Sequence, residues 1–226
     1  MSNEKSQNRK ESILKLTESG LMLALSTILS LIIIYRLPFG GSVTLFSQLP
    51  VIIIAYRHGL KWGLGTGFAS GILQALLGLD SYAYIAKTFM SVAVFFLFDF
   101  LIAFSALGLG GIFKKHVKSQ AAALSLGALL ASFLRYICHV ISGIAIWSAY
   151  AEDFFLADAL KKILSPVFGN MEFWAAQSDR VYVYLYSICY NFAYMSLETA
   201  ITIVGAVMIS LVLNIKNTRI VPARQK

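Results

Sequence analysis

Six long apolar stretches, each bounded by short polar or basic segments, constrain this chain more than any other feature of its sequence. A helix needs about 20 mainly apolar residues to cross the ~30 Å hydrocarbon core of a bilayer. Only 13% of the residues are charged, whereas a soluble domain carries about 25%. The sequence therefore predicts an all-α integral membrane protein with six transmembrane helices. Their approximate bounds are 16–35, 43–56, 62–79, 86–113, 121–147 and 181–213.

The basic residues are concentrated between these stretches. Cytoplasmic loops carry an excess of Lys and Arg, so both termini and the connections after the second and fourth helices are predicted to be cytoplasmic. This distribution accounts for the net charge of +8, and no nucleic-acid partner is expected. The predicted organisation is a cytoplasmic tail (1–15), a membrane domain (16–213) with a long outer loop (149–180), and a second cytoplasmic tail (214–226). The clusters are Lys5, Arg9, Lys10 and Lys15; Arg57 and Lys61; Lys114, Lys115 and Lys118; and Lys216, Arg219, Arg224 and Lys226.

Small residues recur inside the apolar stretches. They let helix backbones approach closely in a bilayer, where no hydrophobic effect drives association. The first stretch contains Gly20-x-x-x-Ala24, and the third and fourth are rich in glycine. The pattern indicates either packing within the bundle or a surface that docks another membrane protein.

Four ionisable residues lie inside the predicted spans: Asp99, Arg135, His139 and Glu198. Such residues are costly in a bilayer and are functional candidates by default. With His neutral, two carboxylates and one guanidinium leave one negative charge, which would attract a cation or a proton. The alternative is that Asp99 and Arg135 form a structural pair, while Glu198 is protonated or solvated near the inner side.

Catalytic motifs are absent from the sequence. It contains no HExxH, no GxSxG and no Walker A motif, and no Cys and His residues have metal-ligand spacing. We therefore expect that the chain is not an enzyme and that it holds no metal and no cofactor.

Several segments resemble the thiamine-specific substrate-binding (S) components of energy-coupling factor (ECF) transporters. The resemblance implies a six-helix protein of the bacterial plasma membrane that captures thiamine outside with high affinity. It also implies three partner subunits, namely a transmembrane coupling protein and two ATPases that use the ATP. The segments are LTESGLMLAL from residue 16, GSVT from 41, LP at 49, YRHGLKWGL from 56, AFSALGLGGIF from 103, RYICHVISGIAIWSAY from 135 and YSICYN from 186.

The resemblance also assigns roles to individual residues. Trp147 would offer a π face to a flat ring, and Asn191 would supply a donor and an acceptor to an aminopyrimidine edge. Asp99 would accept from the exocyclic amine and partly offset the thiazolium charge. The implied thiamine contacts are Asp99, His139, Trp147, Tyr186 and Asn191, and the implied docking motif for the coupling protein is Gly20 and Ala24, with Ser26 alongside.

The sequence departs from a known member of this family at several positions. Asp99 replaces a Glu, Phe100 replaces a Tyr, and Gly40 with Gly41 replaces a Trp in the first outer loop. The 149–180 loop, with a predicted interfacial helix at 154–164, is longer than in that member. These differences bear on affinity and on ligand identity.

Three alternative functions remain open from the sequence. One is an S component for a thiamine precursor of the hydroxymethylpyrimidine type, because Tyr186, Asn191 and Trp147 would also hold a pyrimidine alone. The second is a stand-alone secondary transporter driven by protons through Asp99, His139 and Glu198. The third alternative, and the weakest of them, is a structural membrane subunit that binds no ligand.

Overall fold

The protein is mainly helical, with one small sheet. The computed structural model describes residues 2–37, 41–78, 88–146, 151, 165–166, 169–170, 173 and 181–215. The helix predicted at 154–164 and the tail beyond residue 215 lie outside these ranges. The described elements are α1 (Ser2–Ser30), β1 (Ile33–Arg36), β2 (Ser42–Thr44), α2 (Leu49–His58), α3 (Leu60–Leu77), α4 (Phe89–Lys115), α5 (Gln120–Ala145) and α6 (Val181–Val212).

The six helices agree in number with the six predicted spans. Four helical segments, Glu4–Ser30 of α1 and the whole of α4, α5 and α6, are long and apolar enough to cross a membrane. Helix α2 has only 10 residues, which extend about 15 Å. Helix α1 also begins far earlier than predicted, because the polar segment before Leu16 continues the same helix.

The largest difference from the predicted elements lies between α1 and α2. Residues predicted as the end of the first span and the start of the second form an antiparallel hairpin instead. Its strands are rich in Ile, Val, Thr and Tyr, which favour extended backbone. Pro50 in the first turn of α2 fixes where the next helix starts. An apolar run of this kind is compatible with a membrane helix and with a strand, so hydropathy alone did not distinguish the two.

Glycines allow very close packing between α3, α4 and α5. A Cβ atom built on Gly127 would lie 1.8 Å from the Gly110 carbonyl oxygen. One on Gly67 would lie 2.4 Å from the Phe104 carbonyl oxygen. Backbone therefore packs directly on backbone at these crossings, and these glycines serve the packing of the bundle.

A buried ionic cluster joins α1 to the end of α2. Glu18 is fully buried and accepts from Arg57 Nε at 2.6 Å and Nη2 at 3.0 Å. His58 Nε2 lies 2.6 Å from the same carboxylate. Arg57, predicted as part of a cytoplasmic basic cluster, is therefore also a structural residue that fixes α1 against α2.

Candidate ligand-binding site

A cavity of about 520 Å³ opens between the hairpin and helices α3 to α6. Ligand pockets in proteins typically have volumes of about 300–1,000 Å³. Four of the five residues that the resemblance assigns to thiamine line this cavity: Asp99, His139, Tyr186 and Asn191. Trp147, the fifth, lies outside the described residues.

Asp99 lies in an irregular part of α4. The stretch Phe95–Ile102 is a π-helix, a rare conformation that frequently occurs at functional sites. Asp99 is 7% exposed, and its carboxylate accepts from Ser142 Oγ at 2.6 Å. Its other oxygen lies 2.8 Å from His139 Nδ1. No Arg or Lys in the described part of the chain forms an ion pair with it, and its contact with His139 is an ion pair only when that ring is protonated.

The contact with Asp99 determines the tautomer of His139. An ionised carboxylate only accepts hydrogen bonds, so we assign the proton to Nδ1. In the neutral ring, Nε2 is then an acceptor. This nitrogen is buried and has no hydrogen-bond partner among the described residues. A ring that lines a cavity and keeps a buried, unused acceptor is suited to receive an N–H group from a ligand.

Asn191 is held firmly by the protein. Its Nδ2 donates to the Ser187 carbonyl oxygen at 2.8 Å and lies 3.3 Å from the His139 carbonyl oxygen. Its Oδ1 accepts from Tyr194 Oη at 3.1 Å. A carbonyl oxygen has two lone pairs, so Oδ1 retains acceptor capacity, while both amide hydrogens already have acceptors. Asn191 therefore has an acceptor left for a ligand but no unused donor, whereas the sequence-based expectation was that it offers both.

Three tyrosines spaced four residues apart form one wall of the cavity. Tyr186 is almost fully buried, and its ring centroid lies 5.5 Å from that of Tyr190, which lies 5.9 Å from that of Tyr194. Sequence reasoning identified only the first, although the spacing places all three on one helix face. Ser142, which donates to Asp99, was also missed; it lies seven residues after Arg135 on the same helix.

Arg135 pairs with Glu198 and not with Asp99. Its Nη1 donates to Glu198 Oε2 at 3.2 Å, and both side chains are nearly buried. Glu198 also accepts from Thr44 Oγ1 at 2.7 Å. The structural pairing of Asp99 with Arg135 that was suggested from sequence is therefore wrong, and so is the idea of a solvated Glu198. The negative charge left over in the count belongs to Asp99.

The proposed docking motif lies on an open face of α1. Gly20 and Ala24 are exposed, and a Cβ on Gly20 would meet nothing within 4 Å. Ser26 differs, because it is buried and donates to the Ser47 carbonyl oxygen at 2.6 Å. It therefore belongs to the interior of the bundle.

Two of the sequence departures have a structural explanation. A Cβ on Gly41 would lie 2.7 Å from Tyr190 Oη and 3.0 Å from the Tyr194 ring. Tyrosines from α6 thus occupy the space that a side chain in the hairpin would need. Phe100 lines the cavity with its ring centroid 5.3 Å from that of Phe95 and 6.3 Å from that of Phe104. The ring packs within an aromatic group, where it needs no hydroxyl.

Comparison with known proteins identifies the family. Residues 16–156 match the family model described as thiamine transporter protein. The chain belongs to this family. It is 31% identical to the thiamine transporter ThiT of Bacillus subtilis over 155 residues, covering 64% of this chain and 76% of the relative. It is 28% identical to ThiT of Lacticaseibacillus paracasei over 116 residues, 47% of this chain and 55% of that protein.

The fold agrees with a solved structure in the same family. ThiT from Listeria monocytogenes matches with a TM-score of 0.60 at 20% identity, over 90% of this chain and 96% of that one. The family resemblance seen in the sequence is thereby confirmed. Together with the long apolar helices, it makes the chain a multi-pass protein of the cell membrane.

Proposed function

We propose that the chain is the high-affinity thiamine-binding S component of an ECF-type importer. It captures thiamine outside the cell and delivers it inward with a transmembrane coupling protein and two ATPases. ATP is consumed by those partners, and this chain is not an enzyme and carries no cofactor or metal. Six membrane helices with both termini in the cytoplasm are part of the proposal.

The observation that carries the proposal is the Asp99 carboxylate, buried in a cavity without a cationic partner among the described residues. Thiamine is a permanent monocation with an aminopyrimidine ring, so it supplies both a positive charge and N–H donors. An amine hydrogen of the pyrimidine binds Asp99 or the unused Nε2 of His139. The carboxamide oxygen of Asn191 accepts another amine hydrogen at this edge, and Tyr186 packs against a ring face.

Trp147 supplies the remaining contact in this proposal. In the sequence, Trp147 comes two residues after the last residue of α5, the helix that carries His139. Its indole stacks on a flat or cationic ring of the ligand. The residue is a proposed thiamine contact on the strength of the family resemblance alone.

The proposed docking surface is the face of α1 that carries Gly20 and Ala24. Its exposure and the open space beside Gly20 support contact with another helix, since small residues permit close backbone approach in a bilayer. All glycines of α3 to α5 except Gly65 already pack against other residues of the bundle, whereas Gly20 does not.

The test is isothermal titration calorimetry of the detergent-purified chain with thiamine and with its neutral hydroxymethylpyrimidine fragment. Saturable thiamine binding that is far tighter than fragment binding is the expected result. Tighter binding of the fragment would instead indicate the precursor as ligand. No binding of either would contradict both assignments. Uptake into vesicles that lack the coupling protein and ATPases distinguishes the proton-driven carrier, which would work without them.

A further inference from the structure

A further charged residue lines the cavity and has no role in the site described above. Arg36, the last residue of β1, lines the cavity together with Ser42 of β2. Arg36 is exposed, and its side chain has no hydrogen bond or ion pair within the part of the chain that the structure describes. A free guanidinium in the wall of a ligand cavity is a ready site for an anion.

A bulge in the hairpin explains why Arg36 faces the cavity. Ile33 pairs with Thr44, but Tyr35 pairs with Val43, so Ile34 is an extra residue in β1. In a regular strand, Ile33 and Arg36 would point to opposite faces. The extra residue changes the alternation, and both residues line the cavity. Bulges commonly re-aim a side chain in this way.

The strand paired with the one that carries Arg36 is anchored to α6 near both of its ends. Arg36 and Ser42 are directly opposite in the register, and opposite residues project to the same face of a sheet. The backbone N–H of Gly41 donates to Tyr190 Oη at 2.7 Å, and Thr44 donates to Glu198 at 2.7 Å. These hydrogen bonds hold the hairpin that carries Arg36 against α6.

The charges of the cavity are thus separated. Arg135 is neutralised by Glu198, which leaves a negative charge at Asp99 and a positive charge at Arg36. A ligand that is only cationic gains nothing from Arg36. A ligand with a cationic ring and an anionic tail complements both groups.

We propose that Arg36, with Ser42 beside it, is an anion subsite that binds the phosphate of a phosphate ester of the cationic ligand. The inference rests on the proposed thiamine function. Thiamine ends in a primary alcohol, and its monophosphate carries about −1.5 to −2 charges on that arm near neutral pH. The guanidinium fork fits two phosphate oxygens, and the Ser42 hydroxyl donates to a third.

Titration calorimetry with thiamine and thiamine monophosphate, in a non-ionic detergent without phospholipid, tests this subsite. Arg36→Gln is expected to weaken monophosphate binding about five- to tenfold, because each tenfold corresponds to about 1.4 kcal/mol and the group is partly solvated. Thiamine affinity should stay within twofold, which also shows that the variant is folded. Arg36→Lys keeps the charge but not the planar guanidinium fork, so it should lose less monophosphate affinity than Arg36→Gln. High salt should reduce the difference in monophosphate affinity between wild type and Arg36→Gln.

Several results would overturn the subsite. An equal loss for both ligands would make Arg36 a structural residue, and no loss for either would make it a solvated cation. If added phosphatidylglycerol abolishes the difference between wild type and Arg36→Gln, a lipid headgroup holds the guanidinium instead. Absence of thiamine binding to the wild type would refute the proposed function itself. Thiamine binding without monophosphate binding would refute only the subsite.

Discussion

Nδ1 of His139 lies 2.8 Å from the carboxylate of Asp99, and this contact links the π-helical part of α4 to the C-terminal part of α5. It leaves Asp99 as a buried anion and the far nitrogen of His139 as an acceptor with no hydrogen-bond partner among the described residues. Because Ser142 donates to the same carboxylate, the orientation of the Asp99 carboxylate is fixed before any ligand binds. The negative end of the cavity is therefore preorganised, which reduces the cost of ordering side chains on binding.

Replacing Asp99 with Asn removes the charge and nearly conserves the shape. We expect thiamine affinity to fall about tenfold or more, because hydrogen bonds to charged groups contribute about 1.5–3 kcal/mol. Binding of the neutral pyrimidine fragment should fall less. Calorimetry with both ligands checks this, and equal losses would exclude a role for the charge.

Asn191→Ala is expected to weaken thiamine binding by about 1–3 kcal/mol, the cost of leaving a buried polar partner unsatisfied. The control is Ser187→Ala, which removes the 3.3 Å contact to the amide and a 2.8 Å hydrogen bond to the Val140 carbonyl oxygen. It leaves the Asn191 carboxamide in place and should change affinity little. Thermal unfolding of both variants in detergent verifies the fold. Unchanged affinity in folded Asn191→Ala would exclude the residue from the ligand site.

Glu198→Ala should strongly destabilise the protein, because it leaves Arg135 charged and buried. Breaking a buried pair on one side typically costs about 3–5 kcal/mol. The double variant Arg135→Met with Glu198→Met removes both charges and should unfold at a higher temperature than Glu198→Ala. Thermal melts of the three proteins in one detergent make the comparison, and a double variant less stable than the single one would contradict it.

Gly20→Leu should leave thiamine binding unchanged but prevent assembly with the coupling protein and ATPases. The reason is that Gly20 faces open space in this chain, so a larger side chain disturbs only a partner. Co-purification with a tagged coupling module measures assembly. Leu21→Ala, a change at a neighbouring exposed position, is the control. Retained assembly would show that the motif does not dock.

Gly127→Ala tests the packing of α5 on α4. A Cβ there would lie 1.8 Å from the Gly110 carbonyl oxygen, so the helices must separate. Overpacking of this kind typically costs about 1–3 kcal/mol. Gly65→Ala is the matched control, because a Cβ at Gly65 meets nothing within 4 Å. We expect a lower melting temperature for Gly127→Ala alone.

Several properties of the protein could be predicted from its sequence. Lipid exposure forces apolar runs of fixed length, so hydropathy alone indicated a helical membrane protein and the number of helices. The cost of burying ionisable groups made Asp99, Arg135, His139 and Glu198 stand out. Motifs such as RYICHVISG carried the family resemblance. Each of these signals is local in the chain, and a local signal needs no knowledge of which helices meet.

Only the tertiary structure decided which groups pair. Asp99 and His139 are 40 residues apart, and Arg135 and Glu198 are 63 apart, so their contacts depend on how the helices cross. Hydropathy also did not reveal the hairpin between α1 and α2, because apolar β-branched residues suit a buried helix and a strand alike. The bulge at Ile34, which turns Arg36 into the cavity, depends on the strand register. Register is set by both strands together, and for this reason one strand's sequence does not contain it.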